Sequence, residues 1–94
     1  MNIIIAGGGE VGYYLAKLLT KESHSIVLID NRAKILNRAD SEMDLMTIHG
    51  NAYSISVLDK AGVAECDLLI AVTSSETTNL TIATLGKQLG AKKT

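Results

Sequence analysis

At 94 residues the chain has room for one domain, since single hydrophobic cores organise about 100 to 150 residues, and a two-domain enzyme is excluded within it. Hydrophobic residues make up 47% and charged ones 20%, a balance that supports a folded core and is too apolar for disorder. Nine basic against ten acidic side chains leave a net charge of -1 with no Lys or Arg block, so there is no electrostatic footprint for nucleic acid.

In chain order, short continuous apolar runs alternate with segments of helical spacing, the pattern of a parallel sheet covered on both faces. Asn2 to Ala6 reads as a first strand. Val11, Tyr14, Leu15, Leu18 and Leu19 then recur at three-and-four spacing, predicting a helix that buries this face and ends near Glu22 or Ser23. Ser25 to Ile29 is a second buried strand, followed by a short helix between Asn31 and Asp40 marked by Ile35, Leu36 and Ala39. Leu45 to Ile48 is less apolar and fits an edge strand. Ser54 to Ala61 reads as a short helix with Gly62 as a left-handed terminator. Leu68 to Val72 is a fourth strand, and Ser75 to Leu89 a last helix closed by Gly90.

Right-handed crossovers place these strands in the doubly wound order 3-2-1-4, a Rossmann-like α/β fold spanning residues 1–94. Such a fold normally carries fifth and sixth strands, so the sheet is expected to stop short of them and to leave the fourth strand's edge open to pairing. No apolar run approaches the roughly 18 residues that span a bilayer, so neither a signal peptide nor membrane insertion is expected. The single cysteine, Cys66, points to a reducing cytoplasm and a buried thiol.

The main chemical signal is Gly7-Gly8-Gly9-Glu10-Val11-Gly12, a G-x-G-x-x-G run between a strand and a helix. Gly7 permits the tight turn, Gly9 lets backbone approach a pyrophosphate, and Gly12 allows close helix-on-strand packing, while the helix start offers N–H groups to phosphate. Asp30 ends the second strand, 18 residues beyond Gly12, where a dinucleotide ribose would lie. A 2′-phosphate there would meet like charge, so NAD(H) is expected over NADP(H). Arg32 is read two ways, as a phosphate or adenine contact or as a solvated side chain. Asn51 and Ala52 follow the third strand and can edge the adenine. Thr73 and Ser74 follow the fourth at the switch point and can hydrogen-bond ribose or phosphate, though Ser74 or Ser75 can equally serve as a helix cap. His24 and His49 have no metal-ligand cluster around them, and no hydride-transfer acid or base stands out.

These residues, with Val27-Leu28-Ile29-Asp30, His49-Gly50-Asn51-Ala52 and Ala71-Val72-Thr73-Ser74-Ser75-Glu76-Thr77-Thr78-Asn79, resemble the N-terminal nucleotide-binding lobe of Trk-type potassium-uptake regulators over nearly the whole chain. The resemblance implies a peripheral cytoplasmic, homo-oligomeric regulatory subunit, not an enzyme. It would bind NAD(H), or ATP/ADP, and modulate a membrane potassium-translocating partner. By position it implies Gly7 to Val11 on the pyrophosphate, Asp30 on the ribose, Asn51 and Ala52 near the adenine, and Thr73 and Ser74 near the cofactor's middle or nicotinamide half. Glu10 stands where some ATP-responsive relatives have Arg, which favours NAD(H). The competing reading is the cofactor-binding half of an NAD-dependent dehydrogenase, and a third is a fold that only mediates assembly.

Overall fold

A computed structural model describes all 94 residues. The chain runs β1 (Asn2–Ala6), α1 (Glu10–Thr20), β2 (Ser25–Asp30), α2 (Ala33–Glu42), β3 (Met46–His49), α3 (Ile55–Lys60), a 3-10 turn (Val63–Glu65), β4 (Leu68–Ala71) and α4 (Glu76–Leu89). The four strands form one parallel sheet ordered β3-β2-β1-β4, the expected doubly wound topology.

Parallel strands covered on both faces are apolar at every position, and β1 shows why. Ile3 and Ile5 point into one layer with Tyr13, Ala16, Ile26, Leu28, Leu36 and Ala39, closed by α1 and α2. Ile4 and Ala6 point into the other with Ile29, Leu58, Val63, Cys66, Leu69 and Ile82, closed by α3, the 3-10 turn and α4. β3 lies at one edge and is only half-buried or exposed, as its weaker apolar pattern predicts.

Helix ends follow local chemistry. The Ser75 hydroxyl accepts from Thr78 N at 3.2 Å and caps α4. Gly62 and Gly90 take the left-handed conformation that ends helices, at φ 84° and 119°. Ser54 precedes α3, yet its hydroxyl pairs with Ser56 and caps nothing.

The face that α1 buries differs from the expected one. Val11 and Tyr14 are 60% and 62% exposed and Leu18 is also exposed, whereas Gly12, Tyr13 and Ala16 are buried. Gly12 and Ala16 lie four apart, and their lack of bulk lets the helix axis come close to the sheet. The expected stripe is split: Leu15 and Leu19 are half-buried and pack against this layer, while Val11, Tyr14 and Leu18 turn outward and the helix meets the sheet through Gly12, Tyr13 and Ala16.

At the far edge, β4 is not bare along its whole length. The backbone N of Leu69 donates to the Lys93 carbonyl at 2.9 Å, and Lys92 N donates to the Cys66 carbonyl at 3.2 Å. This aligns Lys93 parallel to Leu68 as the first bridge of a further strand position.

Candidate functional site

The strand register sets the site. Ala6 pairs with Ile29 and with Ala71, and Asp30 pairs with His49, so four strands end nearly flush. The loops that follow them, Gly7–Gly9, Asn31–Arg32, Gly50–Tyr53 and Val72–Ser75, surround a cleft of about 490 Å³ at the carboxyl edge of the sheet. Open α/β sheets place ligands at this edge, where the crossovers diverge from β1 toward β2 on one side and β4 on the other.

The turn after β1 leaves at a conformation only glycine adopts readily, Gly7 having φ 115°, and a Cβ there would lie 2.8 Å from the Val72 carbonyl oxygen. Gly7 N donates to the Ile29 carbonyl at 2.9 Å, tying the turn to β2. Gly9 precedes α1, no side chain caps that helix, and the only atom within 4 Å of a Cβ at Gly9 would be the Arg32 guanidinium. The first helical turn thus has N–H groups without a side-chain cap, next to the part of the cleft that Gly9 lines, and helix starts of this kind favour an anionic group.

Asp30 is buried, and its carboxylate is the most heavily hydrogen-bonded group in the site. Oδ2 accepts from Gly8 N at 2.7 Å, and Oδ1 accepts from Arg32 N at 2.8 Å. The Arg32 guanidinium adds a two-pronged ion pair, Nε to Oδ1 and Nη2 to Oδ2, both 2.9 Å. Burial pushes this carboxyl upward. The Arg32 side chain, the Gly8 and Arg32 backbone N–H groups and the guanidinium charge together outweigh burial and hold it below the usual carboxylate range. The Arg32 guanidinium is raised in turn, chiefly by its hydrogen bonds to Asp30.

Across the cleft, Asn79 organises the loop after β4. Its Oδ1 accepts from Thr73 N at 2.8 Å and from Thr73 Oγ1 at 2.6 Å, and its Nδ2 donates to the Thr73 carbonyl at 3.2 Å. Thr73 and Ser74 are thereby held at the cleft wall, with the Thr73 backbone close against Gly7. Below β3, His49 Nε2 donates to the Asn31 carbonyl at 3.0 Å and Gly50 N to the Asp30 carbonyl at 3.0 Å, fixing the loop that carries Asn51 and Ala52.

Of the residues expected to bind a ligand, Gly7, Gly9, Asp30, Arg32, Asn51, Ala52, Thr73 and Ser74 line this one cleft. Gly8, Glu10, Val11 and Gly12 do not. Gly8 turns its N–H back onto Asp30, and a Cβ there would lie 2.8 Å from Ile35 Cγ2, so its smallness serves packing against α2. Gly12 backs onto the Gly7 carbonyl and acts from behind the turn. Glu10 is exposed beside a second depression on the α1–α2 side, and the Val11 side chain faces outward. Among the lining residues that the sequence did not mark as candidates, Tyr53 stands out: it is half-exposed and offers a flat apolar surface beside Asn51. An aromatic directly after Asn51-Ala52, in a chain with three aromatics, was the available signal.

Cys66 is buried beneath β4, and its thiol is pushed up by burial and by the Asp67 charge. His24 stands against the amino terminus, its Nδ1 3.2 Å from the Met1 nitrogen. Neither lines the cleft.

The TrkA-N domain family profile matches residues 3–94. Over 92 residues the chain is 41% identical to the Trk system potassium uptake protein TrkA homolog of Archaeoglobus fulgidus, covering 98% of this chain and 21% of that protein. It is 39% identical to the TrkA of Haemophilus influenzae, covering 95% of this chain and 19% of that one. The homolog of Methanothermobacter thermautotrophicus is 33% identical and is covered over 43% of its length. The chain thus spans less than half of each of these relatives. Among solved structures, the Shewanella denitrificans Kef CTD in AMP-bound form superposes with a TM-score of 0.77 at 23% identity, over 94% of this chain and 52% of that one. The chuY protein of E. coli CFT073 superposes at 0.67 with 17% identity, over 99% of this chain and 45% of that one. Both show the fold. The chain belongs to the TrkA-N domain family.

Proposed function

We propose that this TrkA-N domain is the nucleotide-sensing lobe of a potassium-uptake regulator, binding NAD(H) or an adenine nucleotide in the cleft and biasing a membrane potassium-translocating partner from the cytoplasmic side. The observation that carries the reading is the convergence of the Gly7–Gly9 turn, the Asp30 carboxylate and the Thr73–Ser74 loop on one cleft. In this reading the uncapped start of α1 takes the phosphates, Asp30 accepts from the ribose hydroxyls, Tyr53 and Asn51 flank the base, and Thr73 and Ser74 contact the ligand's far half. The relatives named Trk system potassium uptake protein supply the transport context, and the AMP-bound Kef domain supports an adenine ligand.

The role is binding and not catalysis. The charged side chains in the cleft, Asp30 and Arg32, are committed to each other, and the remainder of the polar lining is amide, hydroxyl and backbone. Sensing requires that ligand bind two conformations of the assembled regulator with unequal affinity, and a homo-oligomer supplies such alternatives. Calorimetric titration of the chain with NADH, NADPH, AMP and ATP tests the reading. The expected result is binding of NADH or an adenine nucleotide, weaker binding of NADPH, and a loss of about tenfold or more in Asp30→Ala, the scale of hydrogen bonds to a charged acceptor. Absence of binding to all four would refute it.

A further inference from the structure

We infer that Arg32 is an intramolecular competitor for the ribose site: its guanidinium occupies the positions on Asp30 that a ribose diol needs, so that a ribonucleotide binds only after displacing it. The inference deepens the proposed function and rests on the reading of the cleft as a ribonucleotide site.

The argument is a count of lone pairs. A carboxylate offers about four acceptor positions, two on each oxygen. On Asp30, Oδ1 takes Arg32 N and Arg32 Nε, while Oδ2 takes Gly8 N and Arg32 Nη2. All four are filled. The two backbone donors belong to the turns after β1 and β2 and are fixed by the fold. The two side-chain donors are not: the Arg32 side chain is 57% exposed, whereas that of Asp30 is 4% exposed. Two vicinal hydroxyls would replace the two guanidinium N–H donors one for one, leaving the buried carboxylate fully satisfied. Nothing else at Asp30 can yield. The released guanidinium has room to move, since it already lies at the mouth of the cleft, 3.9 Å from where a Cβ on Gly9 would sit.

The consequence is a closed and an open form in equilibrium, and apparent affinity is intrinsic affinity scaled by the open fraction. An ion pair whose cation lies in solvent weakens with salt, though less than a pair exposed on both sides. Salt should therefore tighten the binding of a neutral ribonucleoside, the opposite of its effect on an anionic ligand held by cations.

Adenosine titrated into the chain by ¹H–¹⁵N NMR at about 0.01 M and about 1 M salt, where screening lengths are about 30 and 3 Å, reads this directly. The expected result is a dissociation constant about two- to fivefold smaller at high salt, the scale of an ion pair with one partner in solvent. Arg32→Met keeps the stem without a donor; it should bind adenosine tighter than the unsubstituted chain by a similar factor at low salt and show no salt response. The Arg32 Nε–H resonance should be protected in the free chain and lose protection on adenosine addition. Adenosine binding that is salt-independent in the unsubstituted chain, or weakened in Arg32→Met, overturns the competition while leaving the ribonucleotide site standing. Absence of binding of adenosine and of every nucleotide to both chains overturns the site itself and the competition with it. The salt arm needs no variant, so it decides the matter even if Arg32→Met folds poorly.

Discussion

Replacing Gly12 by alanine tests the close approach of α1 to the glycine turn. Inside a helix the exchange ordinarily stabilises by about 1 kcal/mol, because alanine has less backbone entropy to lose. Here the new Cβ would lie 2.9 Å from the Gly7 carbonyl carbon, closer still to its oxygen, and 3.2 Å from Val72 Cγ2. Contacts of this kind are comfortable at about 3.5 to 4 Å. The obstacle is backbone, and Gly7 is pinned at φ 115° with its N–H on Ile29, so no rotamer change relieves the overlap. The helix must retreat by more than about 1 Å, loosening Tyr13 and Ala16 from the layer they share with Ile3, Ile5 and Leu28. A backbone obstacle puts overpacking at the upper end, about 3 kcal/mol, and the loosened layer adds to it, so the net loss after the propensity gain of about 1 kcal/mol is about 2 to 3 kcal/mol. For a domain of this size that lowers Tm by about 10 to 20 °C. Thermal and urea melts followed by circular dichroism measure it, with Gly62→Ala as a ruler: Gly62 has φ 84° and nothing within 4 Å of a Cβ, so only conformational strain of about 1 kcal/mol is expected. If Gly12→Ala melts with the unsubstituted chain while Gly62→Ala shows its loss, the close approach is not what fixes glycine at position 12.

Two further outcomes follow from the geometry. Tyr13 is buried, donates its hydroxyl to Glu42 and carries the Arg38 guanidinium 4.5 Å above its ring, so Tyr13→Ala should cost about 3 to 5 kcal/mol in urea denaturation, whereas exposed Tyr14→Ala should stay within about 0.5 kcal/mol. Asp30 has a folded-state carboxyl below its ordinary value of 3.8, so it binds fewer protons folded than unfolded; its contribution is full above that value and is lost as pH falls through the lower folded one. Urea midpoints of the unsubstituted chain should therefore decline more steeply below about pH 4 than those of Asp30→Asn, and parallel curves would contradict the assignment.

Strand positions, the sheet order, the start of α4 and the ends of α3 and α4 were legible because each rests on a local signal: a short apolar run, the capping Ser75, or a glycine after the helix. The buried face of α1 was not. Hydrophobic periodicity marks where apolar bulk recurs and selected Val11, Tyr14, Leu15, Leu18 and Leu19, of which only Leu15 and Leu19 pack on the core, because a helix sits nearest a sheet where its side chains are smallest. Gly12 and Ala16 therefore decide the orientation, and Tyr13 follows them inward because Glu42 and Arg38 on α2 satisfy its hydroxyl and ring. The direction of the Gly8 N–H was not legible for a related reason. A glycine run does not announce which N–H groups face a ligand, since the direction of the turn depends on the register of β1 against β2, and that register aims Gly8 N at Asp30.

The same carboxylate explains why fold and site are hard to separate here. Through Gly8 N it anchors the turn that launches α1, and through Arg32 N it anchors the turn that launches α2, whose first internal bonds run from Ile35 and Leu36 to the Arg32 carbonyl. An alanine at position 30 removes both anchors and leaves two donors without their partner, so weaker ligand binding by Asp30→Ala mixes lost ribose contacts with a loosened cleft. Asparagine keeps an acceptor oxygen for one of the two backbone donors and removes the charge that holds Arg32. Arg32→Met removes the guanidinium and keeps the carboxylate on both turns. The three substitutions therefore separate anchoring, charge and competition, and their order in stability, Arg32→Met above Asp30→Asn above Asp30→Ala, is set by how many backbone donors each leaves satisfied.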